Sequence, residues 1–286
     1  MTEVRVACLV RTALGEGPVW LPNEQALRFV DIRGGTLHRF LPASGACTTL
    51  KVGGAPSFIV GEEGGGILVG SEHGIYRLSG ERLGPCIQTI EQSSHNRTND
   101  ATVDVHGRLW FGTMDDHEKI PTGTLWCLDR GRLYHVGGTA IVTNGPALSA
   151  DASVLFHVDS PARTIWRHRV GEGPALGKGE VFLRLGVADG YPDGIVLDSE
   201  NCLWVALWDG WGVRRYARDG TLMMQVEIPC ARITKIAFGG ADLRKAYVTT
   251  ARVGLSDAEC RAQPLAGALF EFDAPAPGSV VPFVKR

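Results

Sequence analysis

Short apolar and aromatic runs recur along the chain, each closing a strand-like segment and separated from the next by polar turns rich in Gly, Asn, Asp and Pro. Six runs share one form: RFVD (Arg28 to Asp31), ILVG (Ile67 to Gly70), LWFG (Leu109 to Gly112), LFHV (Leu155 to Val158), LWVA (Leu203 to Ala206) and AYVT (Ala246 to Thr249). With Phe29, Leu68, Trp110, Phe156, Trp204 and Tyr247 as landmarks, the steps are 39, 42, 46, 48 and 43 residues. No long segment carries a 3.6-residue apolar period, so helix is expected to be scarce. A strand-built repeat of about 45 residues is the signature of a β-propeller. The pattern therefore predicts an all-β fold: a six-bladed propeller of four-stranded blades, filling residues 1–286 as one domain.

The first repeat divides into strands at Glu16 to Trp20, Ala26 to Ile32, Thr36 to Leu41 and Cys47 to Val52, with turns at Leu21 to Gln25, Gly34-Gly35 and Pro42 to Gly45. The leading segment Val4 to Val10 precedes this unit. It is expected to add the last strand of blade six, near Leu269 to Phe272, closing the ring and hiding edges that an open array would expose.

In a propeller, one sequence phase becomes one place. The residues 11 to 13 positions before the landmarks, where each innermost strand begins, are Glu16, Ser57, Asn99, Asn144, Asp193 and Thr234. All six are polar. Glu16, Asn99, Asn144 and Asp193 bring two carboxylates and two amide oxygens toward one mouth of the channel, a donor set suited to a hard divalent cation. Without a cation the two carboxylates would repel, and one would tend to hold its proton. Asn144-Gly145, Asp193-Gly194 and GEGP around Glu16 are also ordinary turn sequences. Their coincidence of phase across blades favours a site.

Charge and composition narrow the classes. Lys plus Arg number 29 against 31 Asp plus Glu, and no basic stripe offers a nucleic-acid footprint. No apolar stretch reaches the roughly 18 residues of a membrane span, and the N-terminus lacks the basic-then-apolar form of a signal segment. The seven Cys are scattered, odd in number and without CxxC, which points to reduced thiols and a cytoplasmic protein. His38, His73, His106, His135, His157 and His168 show no zinc-binding spacing. GGAPSF and GEEGGG precede no helix, and no GxSxG elbow marks a serine hydrolase. A closed propeller needs no partner, so a monomer is expected.

The stretches LGEGPVW (Leu14 to Trp20), NRTNDATVDVHGRLWFGTMD (Asn96 to Asp115), TNGPALSAD (Thr143 to Asp151), YPDGIVLDSENCLWVALWDG (Tyr191 to Gly210) and TKIAFGGADLRKAYVTTAR (Thr234 to Arg252) resemble the senescence marker protein/regucalcin/gluconolactonase family of sugar lactonases. The resemblance implies a six-bladed propeller with one divalent metal ion held by Glu16, Asn144 and Asp193. It also implies substrate contacts from Arg97 and Asn99. Animal members carry a further acidic contact three residues after the GTM triplet. Here that position is His117, so the loop Asp115, Asp116, His117 departs from the pattern, and Asp116 and His117 are the candidate contacts in its place.

The reaction implied is hydrolysis of a sugar lactone, such as xylono-, arabino-, galactono- or gluconolactone, to the aldonic acid. Asp193 is the first candidate to steer or deprotonate the attacking water, and Asp100 the second. The oxygen-only donor set admits calcium, zinc, manganese, magnesium or ferrous iron. Trp208 or Trp211 could line the mouth, and Lys235 shares the site phase. Two other readings stand beside this one. The first is a hydrolase of non-sugar lactones, aryl esters or phosphotriesters on the same fold. The second is a non-catalytic calcium-binding or scaffold propeller, since fold alone does not fix function.

Overall fold

The computed structural model describes residues 2–286. Six four-stranded antiparallel sheets follow one another along the chain. Blade one consists of Gly15–Leu21, Ala26–Asp31, Thr36–Leu41 and Ala46–Lys51, within a residue or two of the strands read from sequence. The innermost strands of the six blades are Gly15–Leu21, Pro56–Glu62, Asn96–Val103, Thr143–Leu148, Tyr191–Leu197 and Ile233–Gly239. Each packs against the next, and the sixth returns to the first, so the array is a closed ring.

Closure comes from the N-terminus. Arg5–Cys8 pairs antiparallel with Leu269–Asp273, Val6 opposite Phe270, and becomes the outermost strand of blade six. The ring is thereby fastened by a strand from the opposite end of the chain, as the hydrophobic pattern required. Among the described residues the one α-helix is Asp257–Ala262, a single excursion between the second and third strands of blade six. It opens on a capping box in which Ser256 and Glu259 satisfy each other's backbone N–H groups. No helix is long and apolar enough to cross a membrane.

The core is not one mass but six clusters, one at each blade–blade interface. Trp204 and Val213 of blade five meet Ile236 and Phe270 of blade six, and Trp20 and Leu27 of blade one meet Ala237 and Tyr247 of blade six. All six sequence landmarks are buried second-strand residues. This is why the repeat is so visible: the same position of every blade fills the same gap between sheets.

The six innermost strands share a second feature. In each, the register against the second strand shifts where the polar phase residue lies: between Glu16 and Val19, Pro56 and Phe58, Thr98 and Ala101, Asn144 and Ala147, Pro192 and Ile195, and Ile233 and Lys235. Such bulges re-aim side chains and interrupt pairing. Gly17 (φ 53°) and Gly145 (φ 72°) supply the left-handed backbone directly after Glu16 and Asn144. The sequences GEGP and NG are thus turn chemistry and site chemistry at once.

Candidate active site

At the mouth formed by these bulges lies a cavity of about 490 Å³ whose wall includes Glu16, Asn144 and Asp193 with Arg97, Asn99 and Glu118. A smaller, mainly apolar cavity of about 190 Å³ lies further along the channel, among Val19, Val60, Val103, Ile195 and the C-terminal Val280–Pro282 segment. Four of the six phase residues therefore reach one cavity. The other two are struts. The Ser57 hydroxyl bonds the Thr98 hydroxyl of the next blade at 2.8 Å. Thr234 donates to the Gly15 carbonyl at 2.6 Å, across the seam from blade six to blade one.

The polar groups at the mouth form a directed chain. Arg97 donates through Nε to Asp116 at 2.6 Å and through Nη1 to Asn99 Oδ1 at 2.7 Å. Asn99 Nδ2 donates to Asn144 Oδ1 at 2.8 Å and to the Thr143 carbonyl at 2.7 Å. Asn144 Nδ2 donates to Ser160 Oγ at 3.0 Å, which donates to the Pro192 carbonyl beside Asp193 at 2.7 Å. The chain fixes both amide orientations. It commits the Asn99 oxygen to Arg97 and leaves the Asn144 oxygen with a free lone pair.

The carboxylates are the outliers. Glu16 accepts one protein hydrogen bond, from the Gly17 N–H at 2.9 Å. Asp193 has no protein donor among the described residues, although it is buried. Burial, reinforced by the neighbouring Asp100 carboxylate, pushes the Glu16 carboxyl up to about 8. Burial first, then repulsion from Glu16, Asp100 and Glu118, holds Asp193 well above the usual carboxylate range. The mouth is short of positive charge. Two underbonded carboxylates and an amide oxygen with a spare lone pair fit a divalent cation, and a three-residue protein set leaves positions for water and substrate. Among the described residues no group of three or more His, Cys, Asp or Glu side chains forms a metal cluster. The cation reading rests on this mixed carboxylate and amide set.

Asp100, the second candidate base, is differently placed. It accepts from Gly145 N at 3.1 Å and Ala101 N at 2.7 Å, and it pairs with Lys235, whose Nζ also reaches the Ala101 carbonyl at 3.2 Å. This ion pair joins the inner strands of blades three and six across the channel; neither residue lines the larger cavity, and Lys235 lines the smaller one. In the loop after GTM, Asp115 is structural: it caps the backbone N–H groups of Lys119, Ile120 and His117, which hold its carboxyl low. Asp116 stands behind the wall, clamped by Arg97 and by both Nη atoms of Arg33. His117 packs beside His95 outside the cavity. The acidic side chain that does reach the cavity from this loop is Glu118, turned in by a left-handed backbone (φ 56°). Of the two tryptophans, Trp208 lines the cavity and Trp211 is exposed. Sequence reasoning missed Glu118, Arg33 and Arg232. All three are loop residues whose aim depends on local backbone geometry rather than on repeat phase.

The SMP-30/Gluconolactonase/LRE-like region model matches residues 14–252. The 6-deoxy-6-sulfogluconolactonase of Pseudomonas putida is 34% identical over 284 residues, covering 96% of this chain and 97% of that protein. The pentonolactonase of Haloferax volcanii is 31% identical, covering 93% and 92%. Among solved structures, the calcium-binding protein regucalcin from Agrobacterium tumefaciens superposes with a TM-score of 0.95 at 27% identity, covering 100% of this chain and 98% of that one. Ring, motifs and match agree: the chain belongs to the SMP-30/gluconolactonase/LRE-like family.

Proposed function

We propose that this protein is a sugar lactonase that opens an aldonolactone to its aldonic acid with the help of one divalent cation held by Glu16, Asn144 and Asp193. The observation that carries this reading is the pair of buried, underbonded carboxylates lining a cavity that Arg97, Asn99 and Glu118 also line. A bound cation supplies Lewis acidity toward the lactone carbonyl and lowers the pKa of a nearby water.

The side chains supply the rest. Arg97 is fixed by Asp116 and Asn99, and its Nη2 has no protein acceptor among the described residues, so it is available to a sugar hydroxyl. Glu118 offers an acceptor for a second hydroxyl. Asp193, like Glu118, accepts no protein hydrogen bond on its carboxylate among the described residues. On this reading it takes the proton of the attacking water on a carboxylate oxygen and returns it to the ring oxygen as the ester bond breaks. Trp208 adds apolar surface to the same cavity. A wall of guanidiniums, amides and carboxylates suits a polyol better than an aryl ester. The sugar lactonase names of the Pseudomonas and Haloferax relatives support the same substrate class.

The test is acid release from a panel of five- and six-membered aldonolactones, using chelator-stripped protein given one divalent metal at a time, with spontaneous opening subtracted. Metal-dependent turnover of a sugar lactone is expected. Tight calcium binding without turnover on any lactone would instead favour the non-catalytic reading that the regucalcin likeness keeps in view.

A further inference from the structure

Blade six takes its outermost strand from the N-terminus, and that strand is lightly held. Arg5–Cys8 is the shortest strand of the ring, at four residues, and its first two residues are exposed. Few buried contacts hold such a strand, so it belongs to the part of the molecule that opens most readily. Its last residue is a cysteine. The register against Leu269–Asp273 shifts just before it, between Val6 and Cys8, and sets Cys8 opposite Leu269. On the facing sheet, Cys47 lies in the outermost strand of blade one, opposite Phe40.

The two sheets meet in matched rows. On its first, third and fourth strands blade one presents Trp20, Phe40 and Cys47, and on the same strands blade six presents Ala237, Leu269 and Cys8. The rows therefore end on two thiols at the outer edge of the seam. Both are free and partly exposed, and they stand within hydrogen-bonding reach of each other. At other seams the fourth strands fill the same place with aliphatic side chains, such as Leu50, Ile87, Leu183 and Val226. Packing alone thus does not call for sulfur there. Burial first, and then the Cys8 thiol, push the Cys47 thiol up to about 12. It is therefore protonated and slow to react at neutral pH.

We propose that Cys8 and Cys47 are an oxidisable pair whose disulfide staples the ring-closing strand to the face of blade one. With oxidised glutathione as the oxidant, one protein thiolate attacks a glutathione sulfur and expels the other half as a thiolate. The second protein thiolate then attacks the protein sulfur of that mixed disulfide and expels the remaining glutathione. Two protein thiols are oxidised, one glutathione disulfide is reduced to two thiols, and both protons leave on glutathione. The new bond closes a loop of about 40 residues and keeps Arg5–Cys8 beside its ladder partner when the ladder frays. Because Cys47 is held protonated, exchange is slow in both directions, and the pair acts as a lasting staple rather than a rapid sensor. The inference is independent of the lactonase reading.

The experiment is a prolonged incubation of the folded, chelator-stripped protein with oxidised glutathione at mildly alkaline pH. Free thiols are then alkylated, and the sample is divided between tryptic mass mapping and thermal melting. The expected result is a disulfide joining the peptides Val6–Arg11 and Phe40–Lys51. The melting temperature should rise by about 5 °C or more and return to the starting value with a thiol reductant. Cys8→Ala and Cys47→Ala should each abolish the shift, whereas Cys86→Ala, which removes an exposed thiol of blade two, should retain it. The wild-type mapping decides the question even where a variant folds poorly. Cys8 and Cys47 left free or glutathionylated but unlinked in the folded wild type, or a link that forms only in denaturant, overturns the inference. So does a link that leaves the melting temperature unchanged or lower.

Discussion

The inner strand Tyr191–Leu197 has an aspartate at each end, and the two could hardly be treated more differently. Asp198, just past one end, is buried and accepts four hydrogen bonds: Glu200 N at 2.9 Å, Cys202 N at 3.0 Å, Trp204 Nε1 at 3.0 Å and Arg215 Nε at 2.7 Å. Blade three repeats the arrangement at Asp104, with His106 N, Arg108 N, Arg108 Nε and Trp110 Nε1. Asp193, at the other end, is also buried and has no protein donor among the described residues. Folding can satisfy a buried carboxylate completely, and this sequence does so twice with the same parts. That Asp193 and Glu16 are left underbonded in the same molecule is the feature the proposed cation would answer. Burial alone identifies neither a structural nor a functional acid; the completeness of its partners separates them.

The comparison can be broken in several places. The largest effect is expected at the unsatisfied end. Asp193→Ala should cut lactone turnover by about a thousandfold or more and weaken divalent binding with it. Stability of the metal-free protein should be unchanged or raised, because a buried repulsive charge is gone. Steady-state kinetics and denaturant unfolding of the same preparation check both halves. At the satisfied end the pattern inverts. Asp198→Ala leaves the buried Arg215 with only Glu200 as an ionic partner, and should cost about 3–5 kcal/mol of stability in urea unfolding. Folded Asp198→Ala protein should keep its divalent site.

A third consequence concerns pH. The Glu16 carboxyl sits near 8 when folded, and Asp193 is likewise raised, so between the ordinary carboxylate range and about pH 8 the native state binds more protons than the unfolded chain. Stability from these groups is present at low pH and is lost as pH rises through the folded value. Burial lowers His157 and His38, which gives the opposite slope, but only below about 6.5, the ordinary histidine value. The melting temperature of the chelator-stripped protein should therefore fall from pH 6.5 to 8, and saturating divalent cation should flatten that slope. A metal-free protein with no such slope would mean that the two carboxylates are less strained than their surroundings imply. The smallest effect tests one partner of the satisfied acid. Trp204→Phe removes a single donor to Asp198 and should cost about 1–2 kcal/mol while turnover is retained.

The ring was legible because each blade–blade gap is filled by the same phase of the repeat, so Phe29, Trp110, Trp204 and Tyr247 recur at near-even steps. The closing strand was legible because Val4 to Val10 had no blade of its own to join. The convergence of Glu16, Asn99, Asn144 and Asp193 followed from phase as well. Phase could not say that Ser57 and Thr234 would be spent on hydrogen bonds between blades. Nor does phase alone mark Asp104 and Asp198 as acids with four donors: the turn N–H groups and the indole stand at the same offsets after both, but the arginine comes from the turn itself, Arg108, in one and from the next strand but one, Arg215, in the other. Nor could it aim a loop. Glu118 rather than His117 faces the cavity because of one left-handed residue, and Arg232 is set by its stack on Trp208. Such features depend on tertiary packing that no local pattern encodes.

The central claim is that the underbonded acids, and not the satisfied ones, hold a cation. Its most direct test is calorimetric titration of a divalent cation, calcium first, into chelator-stripped wild type, Asp193→Ala and Asp198→Ala. One site per chain in wild type and in folded Asp198→Ala, with binding lost or weakened by orders of magnitude in Asp193→Ala, is the result predicted here. Undiminished binding to Asp193→Ala would contradict it.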